Sequence, residues 1–195
     1  MTRRIRDFYE TAPWQTRALL AHQPITGLVL EPCAGDGSLA NELRLASDAR
    51  VVTNDIDVSR LADYHFDASD YRLFDRIEAD IGPIDWVVTN PPYAMPRCTQ
   101  IVRLAVERAR VGVAMMLRIS FREPTAKVNP RGPFLSTHPI SRLLTLPRYS
   151  FTGNGKSDSA TTEWAIWLKD KAEVKFPPIL SLFNADTIYS TPRVT

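Results

Sequence analysis

The sequence predicts an α/β fold, a mostly parallel sheet with helices on both faces. Three observations carry that expectation. Short apolar runs rich in Val and Ile alternate with longer amphipathic stretches, as strands and helices do when they follow one another in turn. One such run, Leu28-Val29-Leu30-Glu31, leads straight into Pro32-Cys33-Ala34-Gly35-Asp36-Gly37-Ser38 and then into helical periodicity. That is the strand, glycine turn and helix start found at the carboxyl edge of a parallel sheet. Another run, Ile84–Thr89, ends on Asn90-Pro91-Pro92-Tyr93, where two prolines stop a strand.

Taken in chain order, the first strand is Leu28–Glu31, and the glycine turn hands over to a helix at Ser38–Leu45. The next strand is Val51–Asn54, with a weaker one near Arg76–Ala79. Trp86–Thr89 reads as a buried strand, and Thr99–Arg110 as a helix, because Ile101, Leu104, Ala105 and Arg108 recur at helical spacing. Val111–Leu117 is the next strand. Between Ser120 and Ser141, Pro124, Pro130, Pro133 and Pro139 exclude a long helix. Leu143–Leu146 and Glu163–Leu168 complete the strands, separated by a loop whose Ser150–Ala160 stretch contains Gly153, Asn154 and Gly155. Trp164 and Trp167 lie three apart on the last strand, which points them to opposite faces. The 195 residues show no internal repeat and suit a single domain.

Hydrophobic residues at 44% and charged residues at 24% exclude wholesale disorder. No apolar run approaches the roughly 18–20 residues of a membrane span. The N-terminus is basic, but Asp7 and Glu10 stand where a secretion signal needs an apolar stretch. Cys33 and Cys98 offer neither zinc spacing nor a disulfide framework, so a reducing, cytoplasmic setting is expected. His22, His65 and His138 are scattered, and no metal is expected. The net charge of +2 hides an asymmetry: residues 31–85 hold 13 acids against 5 Arg, whereas residues 86–157 hold 11 Lys or Arg against Glu107 and Glu123. Such a division suggests one face for a cationic or hydroxyl-rich small molecule and another for a polyanion.

Gly35-x-Gly37-x-x-Ala40 satisfies a loose dinucleotide fingerprint, with Asp55 twenty residues on at the ribose position. Glu31 and Asp36 flank the turn, however, and would repel a pyrophosphate that needs the helix N-terminus. They suit a ligand bearing an ammonium and a sulfonium. S-adenosylmethionine has both, and its ribose diol still needs an acid such as Asp55. In the proline-stopped element, the Asn90 side-chain oxygen and the Pro91 carbonyl can both accept from one amino group. Drawing both hydrogens out of plane frees the lone pair of a conjugated nitrogen for attack on a methyl. Tyr93 offers a flat face for the substrate ring.

These motifs resemble those of the S-adenosylmethionine-dependent amino-methyltransferases, adenine-specific DNA methyltransferases above all, over most of the chain. The resemblance implies a Rossmann-like methyltransferase fold with seven strands, the last, about Thr162–Lys169, antiparallel. Leu28–Ala40 looks like the family's cofactor loop and implies contacts from Glu31, Pro32, Ala34, Gly35 and Gly37. Asn54-Asp55-Ile56-Asp57 is similar to the ribose-binding strand end, implying Asp55 and Ile56. Glu78-Ala79-Asp80-Ile81 resembles the segment that contacts the cofactor adenine, implying Asp80 and Ile81. Asp7–Trp14 looks like the element that closes over the methionine end, implying Tyr9 and Thr11. Members often have Pro directly after that Thr, where this chain has Ala12. Ile84–Tyr93 matches the catalytic strand with Asn90, Pro91, Pro92 and Tyr93. Leu143–Phe151 and Gly155–Trp167 are similar to compact, phage- or prophage-type members.

The expected function is therefore methyl transfer to adenine N6 in double-stranded DNA, with the base flipped into the pocket. A protein glutamine amide or an RNA guanine amine is the alternative acceptor, and an inactive DNA-binding module or a nicotinamide enzyme are further readings. No separate target-recognition domain is expected, which leaves the loops 120–140 and 150–160 to meet DNA. Arg118, Arg122, Lys127, Arg131, Arg148 and Lys156 are the candidate phosphate contacts. Phe151 is the candidate aromatic against the flipped base. So small a reading surface suggests a homodimer on a palindromic site.

Overall fold

The computed structural model describes residues 10–123, 131–147 and 161–170, together with the backbone of 179–181. Seven strands form one sheet: β1 (Gly27–Glu31), β2 (Ala49–Thr53), β3 (Trp86–Thr89), β4 (Gly112–Arg118), β5 (Arg142–Thr145), β6 (Thr162–Leu168) and β7 (Ile179–Ser181). Their order is β2-β1-β3-β4-β6-β5-β7. β2, β1, β3 and β4 run parallel to one another. β6 runs antiparallel to both β4 and β5, as expected for that segment, but it is not the last strand, since β7 follows and pairs parallel with β5.

Strand alternation sorts the core into two layers. Leu30, Val87, Val113, Met115, Leu117, Leu143, Ala165 and Trp167 point to one face. There they meet α3 (Tyr71–Asp80), α4 (Arg97–Arg108) and Phe134 of α5 (Arg131–Thr137). Val29, Trp86, Val88, Ala114, Met116, Leu144, Trp164 and Ile166 point to the other face. That face is covered by Trp14, Ala18 and Leu19 of α1 (Pro13–His22) and by Leu39 and Leu43 of α2 (Ser38–Ala46). Trp164 and Trp167 do lie on opposite faces.

The weak strand expected at Arg76–Ala79 is corrected. That stretch is the last part of α3, whose Leu73, Phe74 and Ile77 are fully buried. Spacings of one and four residues bring these side chains to one helical face, and the Asp70 carboxylate caps the helix by accepting from the Arg72 backbone N–H at 3.0 Å. The prolines of 120–140 still leave room for α5. Pro133 occupies its first turn, where a missing N–H costs little.

Candidate active site

The carboxyl ends of β1, β2 and β3 open into a cavity of about 430 Å³. The turn after β1 forms one wall through Glu31, Pro32, Ala34, Gly35 and Asp36. Gly35 and Gly37 have φ of 59° and 83°, left-handed values that favour glycine. The turn is thereby tight enough for backbone to approach a ligand. Gly37 then serves as N-cap residue for α2.

A second wall follows β2. Asp55 accepts from the Gly35 N–H at 2.8 Å through one oxygen and from the Asp57 N–H at 2.8 Å through the other. Asn54 is fully buried and ties the walls together. Its side-chain amide donates to the carbonyls of Pro32 at 2.9 Å and Phe66 at 3.1 Å, while its oxygen accepts from the Phe66 N–H at 2.8 Å. Ile56 and Arg60 complete this side.

Electrostatically the cavity is acidic. Glu31 is 2% exposed. Burial pushes its carboxyl well above the usual carboxylate range; Arg44 opposes this, while Asp36 and Asp55 add to it. Its Oε2 is buried with no hydrogen-bond partner among the described residues. A buried, unpaired acceptor is costly, and a ligand ammonium would relieve it. Asp67 lies across the cavity. Its partial burial would raise its pKa, but the Ser69 hydroxyl and N–H, together with the Arg97 guanidinium, hold it below the usual range. Cys33 also lines the cavity, and desolvation by burial pushes its thiol pKa far up, which disfavours the reactive thiolate.

The third wall follows β3. Asn90, Pro92 and Ala94 face the cavity beside Arg97 and Ile101 of α4. The Tyr93 hydroxyl donates to Asn90 Oδ1 at 2.9 Å, and Asn90 Nδ2 donates to Thr11 Oγ1 at 3.2 Å. Thr11 is buried, lines the cavity and precedes α1. Residues some 80 positions apart in sequence thus meet at one carboxamide.

Comparison with solved structures finds the same architecture in methyltransferases. The M protein of the type I restriction enzyme EcoKI superposes with a TM-score of 0.58 at 12% identity, covering 87% of this chain and 45% of that one. A protein from Listeria monocytogenes assigned as a class I S-adenosylmethionine-dependent methyltransferase gives 0.56 at 13%, covering 87% and 61%. One from Pyrococcus horikoshii assigned as an RNA methyltransferase gives 0.54 at 14%, covering 82% and 85%. The fold is that of the class I methyltransferases. The chain spans 61% of the Listeria protein and less than half of the EcoKI subunit. No family model matches the sequence, and no curated protein does either.

Of the site residues expected from the sequence, Thr11, Glu31, Pro32, Ala34, Gly35, Asp55, Ile56, Asn90 and Pro92 line the cavity. Gly37, Pro91 and Tyr93 are not among its lining residues, and neither are Asp80 and Ile81. Asp80 sits at the far end of α3, where it accepts from Arg76 at 2.7 Å and from the Tyr64 hydroxyl at 2.9 Å. Ile81 caps that helix end. Neither lines the cavity. The acid in that quarter is Asp67, with Ala68 beside it, and sequence reasoning missed both. The usable signal was the helix itself: once Asp70 is read as an N-cap, the segment reaching the sheet edge must precede it.

Of the expected phosphate contacts, Arg122 is bound to Glu163 through both Nε and a terminal nitrogen, at 2.8 and 3.3 Å. Arg131 is 7% exposed, lies 5.2 Å from the Phe121 ring centroid and donates to the Glu123 carbonyl at 3.0 Å. The Arg131 guanidinium is directed into the protein, whereas Arg122 pairs with buried Glu163 while its side chain stays 41% exposed. Arg118 is half-buried, with its guanidinium carbon 4.9 Å from the Tyr93 ring centroid. Tyr9, Lys127, Arg148, Phe151 and Lys156 lie outside the described residues. Among the described residues no group of His, Cys, Asp or Glu is arranged to hold a metal ion, and no helix is long and apolar enough to cross a membrane.

Proposed function

We propose that the protein transfers a methyl group from S-adenosylmethionine to adenine N6 in DNA. The observation that carries this reading is the presence of Asn90 in the same cavity as Glu31, whose buried Oε2 has no hydrogen-bond partner among the described residues. One end suits an acceptor amine and the other a ligand ammonium. The residues fit the cofactor: Glu31 would take its ammonium, Asp55 the ribose hydroxyls, and Asp67 with Ile56 the adenine end.

When bound, S-adenosylmethionine supplies an electrophilic methyl, so the task left to the protein is alignment. While one lone pair of Asn90 Oδ1 accepts from Tyr93, a carbonyl oxygen has a second that can serve the acceptor amine. That lone pair and the Pro91 carbonyl accept the two hydrogens of the acceptor amine, whose nitrogen lone pair then faces the methyl. Tyr93 supplies a stacking face for the base. The cation excess over residues 86–157 favours a polyanion as the carrier of that base only through the cations not engaged within the protein, since Arg97, Arg108, Arg110 and Arg122 are ion-paired there. A homodimer is our reading of the assembly, since one copy offers little surface for reading a site.

Incubation with labelled cofactor and unmethylated DNA, followed by nucleoside analysis, tests the proposal. Label is expected in deoxyadenosine with the wild type and not with Asn90→Ala, whose cofactor affinity should stay near wild type. Label in RNA or protein instead would replace the acceptor. Tight binding of a nicotinamide dinucleotide without binding of S-adenosylmethionine would overturn the whole reading.

A further inference from the structure

We propose that Arg118 is a positioning residue for methyl transfer, acting through Tyr93 on the Asn90 carboxamide. The inference rests on the reading of Asn90 as the group that holds the acceptor amine. β3 and β4 are paired in parallel, with Thr89 opposite Met115. Continuing that register by three residues sets Arg118 level with Pro92, at the edge where the catalytic element leaves the sheet. From there the guanidinium lies over the Tyr93 ring, 4.9 Å from its centroid, within the range of a cation–π contact.

The contact matters because of what Tyr93 holds. An Asn carboxamide turns easily about its last torsion, whose energy profile is broad. Here it has a hydroxyl at each end, Tyr93 at the oxygen and Thr11 at the nitrogen. These partners come from different segments, so the plane of the amide, and with it the direction of Oδ1, is fixed relative to the sheet. Tyr93 does this only while its own ring stays put. Arg118, anchored at the end of a seven-residue buried strand, supplies that fixed point. With the cation on one face, a planar base would stack on the opposite face of the ring.

Arg118→Met and Arg118→Lys in the full chain test this, with Tyr93→Phe as the reference. The Met variant should lower kcat about tenfold or more, since small misplacements of reacting groups are costly in rate. Its affinity for S-adenosylmethionine should stay within about twofold, and the salt dependence of its DNA affinity should match wild type, because no phosphate contact is lost. The Lys variant should recover most of kcat, as an ammonium over the ring keeps the attraction.

A readout independent of the acceptor is the Asn90 side-chain amide resonance in nitrogen-15-labelled protein without DNA. It should move in Arg118→Met and Tyr93→Phe and return in Arg118→Lys. If those shifts occur but the wild type methylates no DNA, the positioning network is supported and only the acceptor assignment falls. If Arg118→Met leaves the Asn90 resonance unmoved, the proposal is overturned. It is equally overturned if kcat is unchanged while the salt slope falls by about one, which is the mark of a lost phosphate contact.

Discussion

Arg122 donates to the carboxylate of Glu163 at 2.8 Å, joining the turn after β4 to the first residues of β6. Glu163 is 1% exposed, whereas the Arg122 side chain is 41% exposed. Burial raises the Glu163 pKa, and Arg122 opposes the rise. Removing the guanidinium therefore strands a carboxylate inside the sheet. Arg122→Ala should cost about 2–3 kcal/mol at neutral pH, less than for a fully buried pair because Arg122 reaches solvent.

The sign of the pH dependence follows from the same carboxyl. Its raised folded-state pKa means that its favourable contribution is present at low pH and lost as pH rises through that value. Without Arg122 the pKa rises further, and the neutral form needs no partner. The destabilisation in Arg122→Ala should thus shrink on acidification. Urea denaturation of both proteins at mildly acid and mildly alkaline pH checks this, and a cost independent of pH would contradict it.

Glu31 gives a linkage prediction. It keeps its proton to higher pH than an exposed Glu, whose pKa is about 4.3. A cation bound beside it favours the carboxylate, so binding of S-adenosylmethionine should release a proton at pH values between the bound and free pKa. Calorimetry in buffers of different ionisation enthalpy reads that proton directly. Glu31→Gln should abolish the release and weaken binding by about 1.5–3 kcal/mol. Heats identical in all buffers would remove Glu31 from the cation site.

Asp67 and Asp80 can be told apart by affinity. Asp67→Ala should weaken S-adenosylmethionine binding by about 1–3 kcal/mol, the loss of hydrogen bonds to a charged group. Asp80→Ala removes an exposed pair with Arg76 and a hydrogen bond from the Tyr64 hydroxyl, neither of them at the cavity, and should change binding by less than about 0.5 kcal/mol. The reverse ranking would restore the assignment made from sequence.

Gly112 begins β4 against a packed ring. A Cβ there would stand 2.6 Å from the Trp86 ring and 2.9 Å from the Trp167 carbonyl oxygen. Gly112→Ala should destabilise the fold by about 1–3 kcal/mol through overpacking, visible as a lower melting temperature. An unchanged melting temperature would mean that Trp86 repacks freely.

Local chemistry made the central sheet legible. Val-rich runs between a glycine turn and a proline stop can be little but buried strands, and β1, β3 and β4 fall where those runs lie. The Asn90 element and the glycine turn were legible too, because their residue types are chosen by backbone geometry that acts within a few positions. Asp67 was not. Its place depends on where α3 begins, and Arg76–Ala79 is ambiguous over four residues until Leu73 and Phe74 are read with Ile77 as one face. The internal partners of Arg122 and Arg131 were illegible for another reason: charge counts cannot tell a solvated cation from one whose partner, such as Glu163, lies about forty residues away.

The antiparallel insertion of β6 between β4 and β5 also bears on the order of synthesis. β1 to β4 can pair as they leave the ribosome, each beside a strand already made. β4 then presents an unpaired apolar edge, and β5 emerges with nowhere to dock, until Thr162–Leu168 arrives. Such edges are templates for pairing with other chains. The half of the protein that carries the cavity can thus assemble early, while the molecule stays prone to aggregation until β6 closes the gap.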